Sequence, residues 1–476
     1  MTSKQKWVLV LTATASLMVA LDVTVVSTAL STMRVHLHAS IAQLEWTVNA
    51  YGLSFAVLLM TGATLGDRFG RRRLFVGGLA LFSAASAACA LSPDVGWLIA
   101  ARAVQGAGAA VIAPVSLALL SEAFPPERRG TALGIYGAIT GLAVVAGPVV
   151  GGAVTQGLAW QWIFWLNVPI GLAAIPFVLA RIDEGFGPRT RPDAPGLALV
   201  TGAALGIVWG LVRGNAAGWG SLEVLATLTG GVLFAVLFVL RELRASEPML
   251  PMTLFRSRGF AAGNIVGLLM FAALFSAVFF MAQYQQVVLG QSPLQTGLRL
   301  IPWTGTVFLV SPLAGALVDR IGERPLVVSG LVMQAAGFGW FALIARTGVP
   351  YSHMIAPLIL AGVGVSTALP AAQNATLSGV PATEIGKAAG TFSTMRQLGG
   401  ALGLAVAVAV FAGAGSYASP QAFNAGFGSA IDVAAALSLC GGLTGLALRA
   451  RTRRSAGTVA PLRATESLAG VSSGDG

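Results

Sequence analysis

Residues 65–72 read Leu-Gly-Asp-Arg-Phe-Gly-Arg-Arg, and residues 317–324 repeat the pattern as Leu-Val-Asp-Arg-Ile-Gly-Glu-Arg. Each copy lies between two long apolar runs. At the same offset of 252 positions, Leu-Met-x-Ala at 17–20 recurs at 269–272; at an offset of 256, Gly-x-Gly at 106–108 recurs at 362–364. This internal repeat indicates two related membrane halves that move against each other around a central site, as in secondary transporters.

The chain is dominated by apolar runs of membrane-spanning length. Of its 476 residues, 55% are hydrophobic and 10% are charged, whereas about 25% of the residues of an average soluble domain are charged. Runs of roughly 18 or more apolar residues predict transmembrane helices. We identify fourteen, near residues 8–30, 46–65, 74–92, 97–119, 131–153, 162–180, 196–212, 223–240, 262–286, 300–318, 325–345, 354–376, 388–413 and 428–448. The predicted fold is therefore an all-α integral membrane protein.

The positions of the two motif copies predict how the fourteen helices are organised. The first copy follows the second run and the second copy follows the tenth, so two runs are additional to a pair of six-helix bundles. We expect a six-helix bundle over 1–181, a linker with two extra helices over 182–258, and a second six-helix bundle over 259–448. Residues 449–476 are rich in Ser, Gly and Arg, and predict a disordered cytoplasmic tail.

The formal net charge of +11 follows the membrane topology. If the N-terminus is cytoplasmic, 23 of the 29 Lys and Arg fall on the cytoplasmic side and four fall outside. This bias predicts that both termini are cytoplasmic. The basic charge therefore points to contact with anionic membrane lipid, and we expect no nucleic-acid partner.

Several segments resemble the major facilitator superfamily, specifically its fourteen-span drug–proton antiporters of the EmrB/QacA type. They are Leu21-Asp-Val-Thr-Val-Val26, the motif at 66–72, Arg102-Ala-Val-Gln-Gly-Ala-Gly108, 141–152, Trp162-Ile-Phe-Trp-Leu-Asn-Val-Pro-Ile-Gly171 and Arg396-Gln-Leu-Gly-Gly400. One departure is Ala63, where the family usually has Gly. The resemblance implies a monomer in the plasma membrane that exports lipophilic compounds by alternating access in exchange for protons.

Charged residues inside membrane spans are costly and usually functional. We place Asp22 just past the middle of the first span and Arg102 in the fourth, close enough to meet. The repeat carries Leu274 and Leu358 at the matching positions, so the shared scaffold does not explain either charge. We therefore predict that Asp22 carries the transported proton, since burial and a neighbouring cation act in opposite directions on a carboxyl group. A structural hydrogen bond is the alternative for each residue.

Two further acids are weaker candidates. Glu45 begins the second span and either assists the proton path or caps the helix, where an acid is favourable. Asp432 is expected at the solvated outer end of the last span.

The resemblance assigns two further sets of residues. The conformational hinge, which latches the inner ends of the two halves in the family, comprises Asp67, Arg68, Gly70, Arg71, Arg72, Asp319, Arg320 and Gly322. The antiporter motif, which controls leak and exchange direction, comprises Gly141, Gly147, Pro148, Gly151 and Gly152. For both sets the alternatives are loop charge and small-residue packing.

Aromatic and amide side chains are expected to line a substrate cavity with largely apolar walls. The candidates are Trp46, Asn49, Tyr51, Phe271, Phe275, Tyr284, Gln285, Trp303 and Asn374.

Nothing in the sequence indicates an enzyme, a cofactor or a metal site. No phosphate-binding loop of the GxxxxGK[ST] type occurs, and Cys89 and Cys440 are expected to be buried free thiols.

Two alternatives to drug export remain open. One is export of a single endogenous metabolite, such as an antibiotic or siderophore. The other is a membrane sensor or channel without coupled transport.

Overall fold

The computed structural model describes residues 1–187, 192–378, 380–381 and 384–448. Within these residues, fourteen helical segments are long and apolar enough to cross a membrane, as predicted. The α-helices are α1 Ser3–His36, α2 Ile41–Phe69, α3 Arg71–Ala90, α4 Val95–Ala123, α5 Pro126–Gly157, α6 Trp162–Trp165, α7 Asn167–Arg181, α8 Ala194–Ala217, α9 Leu222–Arg244, α10 Arg258–Gln283, α11 Pro293–Arg299, α12 Ile301–Ile321, α13 Glu323–Ile344, α14 Tyr351–Leu377, α15 Ile385–Ala414 and α16 Pro420–Gly445. The predicted tail at 449–476 lies outside the described residues.

Three of the spans are interrupted helices. The sixth joins α6 to α7, the ninth continues α10 into a π-helix at Tyr284–Val288, and the tenth joins α11 to α12. A short 3-10 helix, Met252–Arg256, precedes α10.

Several helices extend beyond the apolar runs because polar caps satisfy their first backbone amides. Thr2 and Gln5 form a capping box at the start of α1, and Ser40 and Gln43 form another at the start of α2. Such a box provides hydrogen bonds for N–H groups that the helix itself leaves free. As a result, α1 contains 34 residues, which is about 51 Å at 1.5 Å per residue.

The helices pack as two bundles with a helix pair beside them. Helices α1 to α7 pack together, and α10 to α16 pack together. Helices α8 and α9 pack on each other, and α8 also contacts α2 and α15. The side chains of Val57, Val208 and Ala405 meet in a small apolar cluster at that contact. The helix pair therefore lies on the side where α2 and α15 join the bundles.

The two copies of the repeated motif make the same backbone corner. Gly70 separates α2 from α3 with φ 106°, and Gly322 separates α12 from α13 with φ 87°. A positive φ is readily adopted only by glycine. The matching glycines of the sequence repeat are therefore needed to turn the chain at equivalent places in the two bundles.

We call the end where α1 begins the basic end and the other the opposite end. At the opposite end the bundles touch: a Cβ on Gly152 would overlap the Pro293 carbonyl oxygen. Likewise, Gln286 donates a hydrogen bond to the Thr28 carbonyl oxygen at 2.8 Å. The described conformation therefore has its two bundles in close contact at the opposite end.

Helix α16 begins at Pro420, eight residues before the run predicted for it. Two residues on this helix differ from expectation. Asp432 lies near the middle of α16 on an exposed stripe with Leu443, rather than at a helix end. Cys440 is also exposed, whereas Cys89 is buried as expected. Apolarity located the span but did not distinguish its packed face from its outer face.

Candidate functional site

The centre of the first bundle holds a buried ion pair between α1 and α4. The guanidinium of Arg102 donates to Asp22 Oδ2, and the two residues are 1% and 3% exposed. Asp22 lies 19 residues after Ser3, or about 28 Å along α1. The two intramembrane charges singled out in the sequence are therefore in direct contact.

Two amide side chains complete the coordination of the Asp22 carboxylate. Gln105 Nε2 donates to Asp22 Oδ1 at 2.8 Å, and Asn167 Nδ2 donates to the same oxygen at 3.1 Å. Asn167 also donates to Ser86 Oγ at 3.1 Å, which fixes its orientation. Hydrogen bonds of this kind stabilise the charged form of a carboxyl group.

Gln105 and Asn167 are site residues that sequence reasoning missed. Both stand in segments quoted for the family resemblance, and both are polar residues within apolar runs. Their polarity was the available signal, but the sequence did not indicate that helices α4 and α7 direct them to one carboxylate.

The Arg102 side chain is held between polar and aromatic groups. Its Nε donates to the Thr47 carbonyl oxygen at 3.2 Å, and its Nη1 also donates to Gln105 Oε1 at 2.8 Å. Its Cζ lies 4.3 Å from the ring centroid of Tyr51 and 5.7 Å from that of Phe164. Cation–π contact of this type stabilises a desolvated guanidinium.

A cavity between the bundles begins beside this ion pair. In this conformation it is a narrow space of about 20 Å³, and it reaches residues of α1, α2, α4, α10 and α15. Arg102 lines it, whereas Asp22 is not among its lining residues. The lining residues are Val23, Val26, Val48, Asn49, Tyr51, Gly52, Arg102, Phe275, Gln397, Gly400 and Ala401. A substrate in this space would therefore touch Arg102 directly and affect Asp22 through it.

Glu45 is fully buried in α2, one helical turn from the cavity residue Asn49. Its Oε1 accepts a hydrogen bond from Asn49 Nδ2 at 3.1 Å, and its Oε2 has no partner among the described residues. The alternative that Glu45 caps α2 is wrong, because Ser40 performs that role. Glu45 therefore remains a candidate proton site.

Of the predicted cavity residues, Asn49, Tyr51 and Phe275 line the cavity, and Phe271 lies behind Phe275 with its ring centroid 6.1 Å away. The other five do not line this cavity in the described conformation. Trp46 packs against Trp209 of α8. Four others belong to contacts inside the second bundle: Tyr284, Gln285, Trp303 and Asn374.

These side chains do not reach the cavity because closer partners hold them in place. Tyr284 stacks on Phe427 and donates its hydroxyl hydrogen to the Arg346 carbonyl oxygen at 2.8 Å. Asn374 is exposed and donates to Glu323 Oε1 at 2.8 Å. Residue type alone did not separate side chains that fill a bundle from those that face the other bundle.

The first hinge motif binds the segment that leaves α7. Asp67 Oδ1 accepts from Arg71 Nη2 at 2.7 Å, and Arg71 Nη1 donates to Glu122 Oε2 at 3.0 Å. The Arg72 amide donates to Glu184 Oε1 at 2.8 Å. In this conformation the side chains of the first hinge motif therefore contact α4 and residues 182–187.

The remaining hinge residues have less defined roles. Arg68 is exposed and lies 5.4 Å from the ring centroid of Phe69. Arg320 follows Asp319 at the end of α12, and the Asp319 side chain lies outside the described part of the chain.

The antiporter motif allows α5 to approach its neighbours closely. A Cβ on Gly147 would overlap Thr24 Oγ1 of α1, and a Cβ on Gly151 would lie 2.6 Å from the Val25 carbonyl oxygen. Gly152 faces the second bundle instead, and Pro148 lies inside α5. Gly141 has open space around it, so packing does not explain that glycine.

Sequence comparisons identify a family and several relatives. The pattern of the Major Facilitator Superfamily matches residues 12–404 and, in a second match, 306–468. The tetracenomycin C resistance and export protein of Streptomyces glaucescens is 37% identical over 82% of this chain and 73% of its own length. The cephamycin export protein CmcT of Amycolatopsis lactamdurans is 36% identical over 90% and 89%. The puromycin resistance protein pur8 of Streptomyces alboniger is 36% identical over 86% and 82%.

Solved structures with the same fold include peptide transporters. A peptide transporter POT in complex with sulfate aligns with a TM-score of 0.67 at 15% identity, over 94% of this chain and 100% of that one. A POT family transporter in complex with a thioalcohol-conjugated peptide aligns with a TM-score of 0.69 at 13% identity, over 91% and 94%. At these identities the likeness concerns the fold alone.

Proposed function

The chain belongs to the major facilitator superfamily, and we propose that it is a drug–proton antiporter that exports lipophilic compounds by alternating access. The observation that carries the proposal is the buried Asp22–Arg102 pair beside the inter-bundle cavity. Efflux is the activity named for the relatives, which include antibiotic and multidrug resistance proteins. Their sequence similarity supports a transporter rather than an enzyme.

Proton coupling would operate through the charge balance of the pair. When the cavity is open to the proton-rich side, Asp22 takes a proton, and the bond to the Arg102 guanidinium weakens. When the cavity is open to the other side, Asp22 releases the proton and re-forms the pair. Because Arg102 borders the cavity, a substrate that displaces the Arg102 side chain would also weaken its bond to Asp22 and so favour protonation of Asp22. The membrane potential supplies about 2.3 kcal/mol per proton per 100 mV.

The glycines of α5 would allow the two bundles to close tightly at one end and still move between the two open states. Gly152 lets the two bundles meet at the opposite end, and Gly147 lets α5 slide against Thr24 of α1. The corner at Gly70, tied to Glu184 through Arg72, would transmit movement to the segment after α7. We assign this set to conformational change and not to substrate contact.

The proposal includes an orientation and a division of the chain. We place the basic end in the cytoplasm of the cell, with both termini there, because Lys and Arg concentrate at that end. The division is a bundle over 1–181, a linker with two added helices over 182–258, and a bundle over 259–448. We propose a monomer whose partners are lipid, protons and a small lipophilic substrate.

The decisive test is substrate-induced proton release from acid-loaded proteoliposomes. Ethidium and chloramphenicol would serve as a cationic and a neutral probe. Wild type should release protons on addition of a transported probe, and Asp22→Asn should not, while both insert equally. Asp94→Asn is the matched control, because Asp94 is a surface residue that only caps α4. Release that persists in Asp22→Asn would contradict the assignment.

A second candidate is export of a single endogenous antibiotic. The relatives of Streptomyces glaucescens and Amycolatopsis lactamdurans are each named for the export of one compound. A resistance panel separates the two functions, since a broad exporter protects against unrelated compounds and a dedicated one protects against a single class.

A further inference from the structure

The second bundle contains an arginine that the proton-coupling proposal does not use. Arg396 lies in α15, eleven residues after Ile385 at the basic end, or about 16 Å along the helix. It is therefore well inside the membrane-spanning part of the chain. A charged side chain at this depth is costly and usually functional.

Close packing of α15 on α10 creates the aromatic surface beneath this arginine. A Cβ on Gly399 would overlap the Leu268 carbonyl oxygen, and a Cβ on Gly403 would overlap the backbone of Ala272. The two helix backbones are thus in direct contact. The Arg396 Cζ lies 4.1 Å from the ring centroid of Phe271 on α10. It lies 6.0 Å from that of Phe392, one turn earlier on α15.

In the described part of the chain, the Arg396 guanidinium has aromatic neighbours but no anion. Among the described residues, no carboxylate lies within 4.0 Å of it, and its buried Nε has no hydrogen-bond partner. Arg102 offers the direct comparison: it stacks on Tyr51 in the same manner, but it is paired with Asp22. Arg102 and Arg396 therefore both lie over an aromatic ring within a span, but among the described residues only Arg102 has a carboxylate partner.

The unpaired arginine lies next to the inter-bundle cavity. Arg396 and Gly400 are four residues apart and so share one face of α15, and Gly400 lines the cavity. The adjacent residue Gln397 also lines it. On α10, the ring of Phe271 is followed by that of Phe275, another lining residue, with centroids 6.1 Å apart. The guanidinium is thus separated from the cavity by one aromatic ring, that of Phe271, which packs behind the lining residue Phe275.

We propose that Arg396 binds an ionised acidic group of the exported molecule, whose planar apolar body rests against Phe271 and Phe275. A carboxylate, or the oxyanion of an acidic phenol or enol, supplies the charge-assisted acceptor that the guanidinium lacks. Asp22 already balances Arg102, whereas Arg396 has no carboxylate partner among the described residues. This inference rests on the proposed efflux function, and it narrows the substrate class from lipophilic compounds to lipophilic acids.

Equilibrium binding to the purified full-length chain in nanodiscs tests the inference. The probes are 9-anthracenecarboxylate and its neutral carboxamide, which share the planar body and differ in charge. Wild type should bind the carboxylate at least about tenfold more tightly, as expected for a charge-assisted hydrogen bond. Arg396→Gln should abolish that preference while binding the carboxamide unchanged, and Arg396→Lys should retain part of it.

A matched control comes from the opposite end of the second bundle. Arg299 lies 5.1 Å from the ring centroid of Tyr351, so Arg299→Gln also removes an arginine stacked on an aromatic ring. It should leave the preference intact. Unchanged carboxylate binding in Arg396→Gln, equal binding of both probes to wild type, or absence of carboxylate binding would each overturn the proposal.

This measurement is independent of the antiport test. Binding is read at equilibrium without a proton gradient, and carboxamide binding verifies that Arg396→Gln is folded. If proton release persists in Asp22→Asn while the charge preference depends on Arg396, the coupling mechanism fails and the substrate site stands. If the reverse is found, only the substrate site fails.

Discussion

Removing the charge of Asp22 should destabilise the protein by leaving Arg102 buried without its counter-ion. Arg102 is 1% exposed, so bulk solvent compensates its charge poorly. In Asp22→Asn it retains Gln105 Oε1 at 2.8 Å, the Thr47 carbonyl oxygen at 3.2 Å and the ring of Tyr51. Breaking a buried ion pair by removing one partner costs about 3–5 kcal/mol. Because these neighbours remain, we expect a value near the lower limit, about 3 kcal/mol.

A double-mutant cycle separates this structural cost from the functional one. Arg102→Gln should cost less than Asp22→Asn, because the Asp22 carboxyl can take a proton and keeps Gln105 and Asn167 as donors. The double variant, Asp22→Asn with Arg102→Gln, buries no charge at this position. Its free energy of unfolding should return to within about 1 kcal/mol of wild type, since a buried pair often adds little over neutral groups.

The assay combines unfolding in mixed micelles with proton release from proteoliposomes. We expect the double variant to recover its free energy of unfolding but not proton-coupled efflux. That result would show that the charges of Asp22 and Arg102 are needed for proton coupling and not for stability. A coupling free energy of about 3 kcal/mol corresponds to more than a hundredfold change in the unfolding equilibrium. Strictly additive losses would refute the pairing argument, and restored proton coupling in the double variant would refute the role of Asp22.

Three further substitutions test other parts of the site. Gly152→Val should prevent closure of the opposite end, because its Cβ would overlap the Pro293 carbonyl oxygen. A cysteine introduced into the cavity lining should then be labelled faster from that end than in the Gly152 protein. An unchanged labelling rate would contradict this. Asn167→Ala removes a 3.1 Å hydrogen bond to the Asp22 carboxylate and should lower unfolding stability by about 1.5–3 kcal/mol. Glu45→Gln should leave melting temperature nearly unchanged but reduce proton release; full release would make Glu45 structural.

The sequence alone predicted the fold to the level of spans and bundle corners. Apolar runs located the fourteen helical segments of membrane-crossing length found among the described residues, because membrane helices satisfy their backbone groups internally and carry long apolar stretches. The repeated glycines, Gly70 and Gly322, marked equivalent turns, because both turns require a positive φ, which glycine adopts most readily. Helix ends were less predictable, since caps such as Ser40 and Ser419 add polar turns outside the apolar run.

The cavity was harder to predict than the charge pair, for a physical reason. A charge in a membrane span needs a partner, so Asp22 and Arg102 indicated each other across 80 residues. An aromatic ring such as that of Tyr284 packs favourably against lipid, another ring or a bound ligand, so residue type alone does not distinguish these surroundings. Only the packing of α10 on α16, where Tyr284 stacks on Phe427 at 4.4 Å, decides its place.

The two intramembrane arginines show how the same reasoning separates coupling from recognition. Both Arg102 and Arg396 stack on a ring in a membrane helix, and they differ in whether a carboxylate lies beside them. An arginine paired with a carboxylate inside the protein, as Arg102 is with Asp22, can couple transport to a proton, because protonation of the carboxylate breaks the ion pair. A charge left without an anion beside a cavity is suited to a ligand that brings one. If that distinction holds, Arg102→Gln should affect coupling for every substrate, whereas Arg396→Gln should affect only acidic ones.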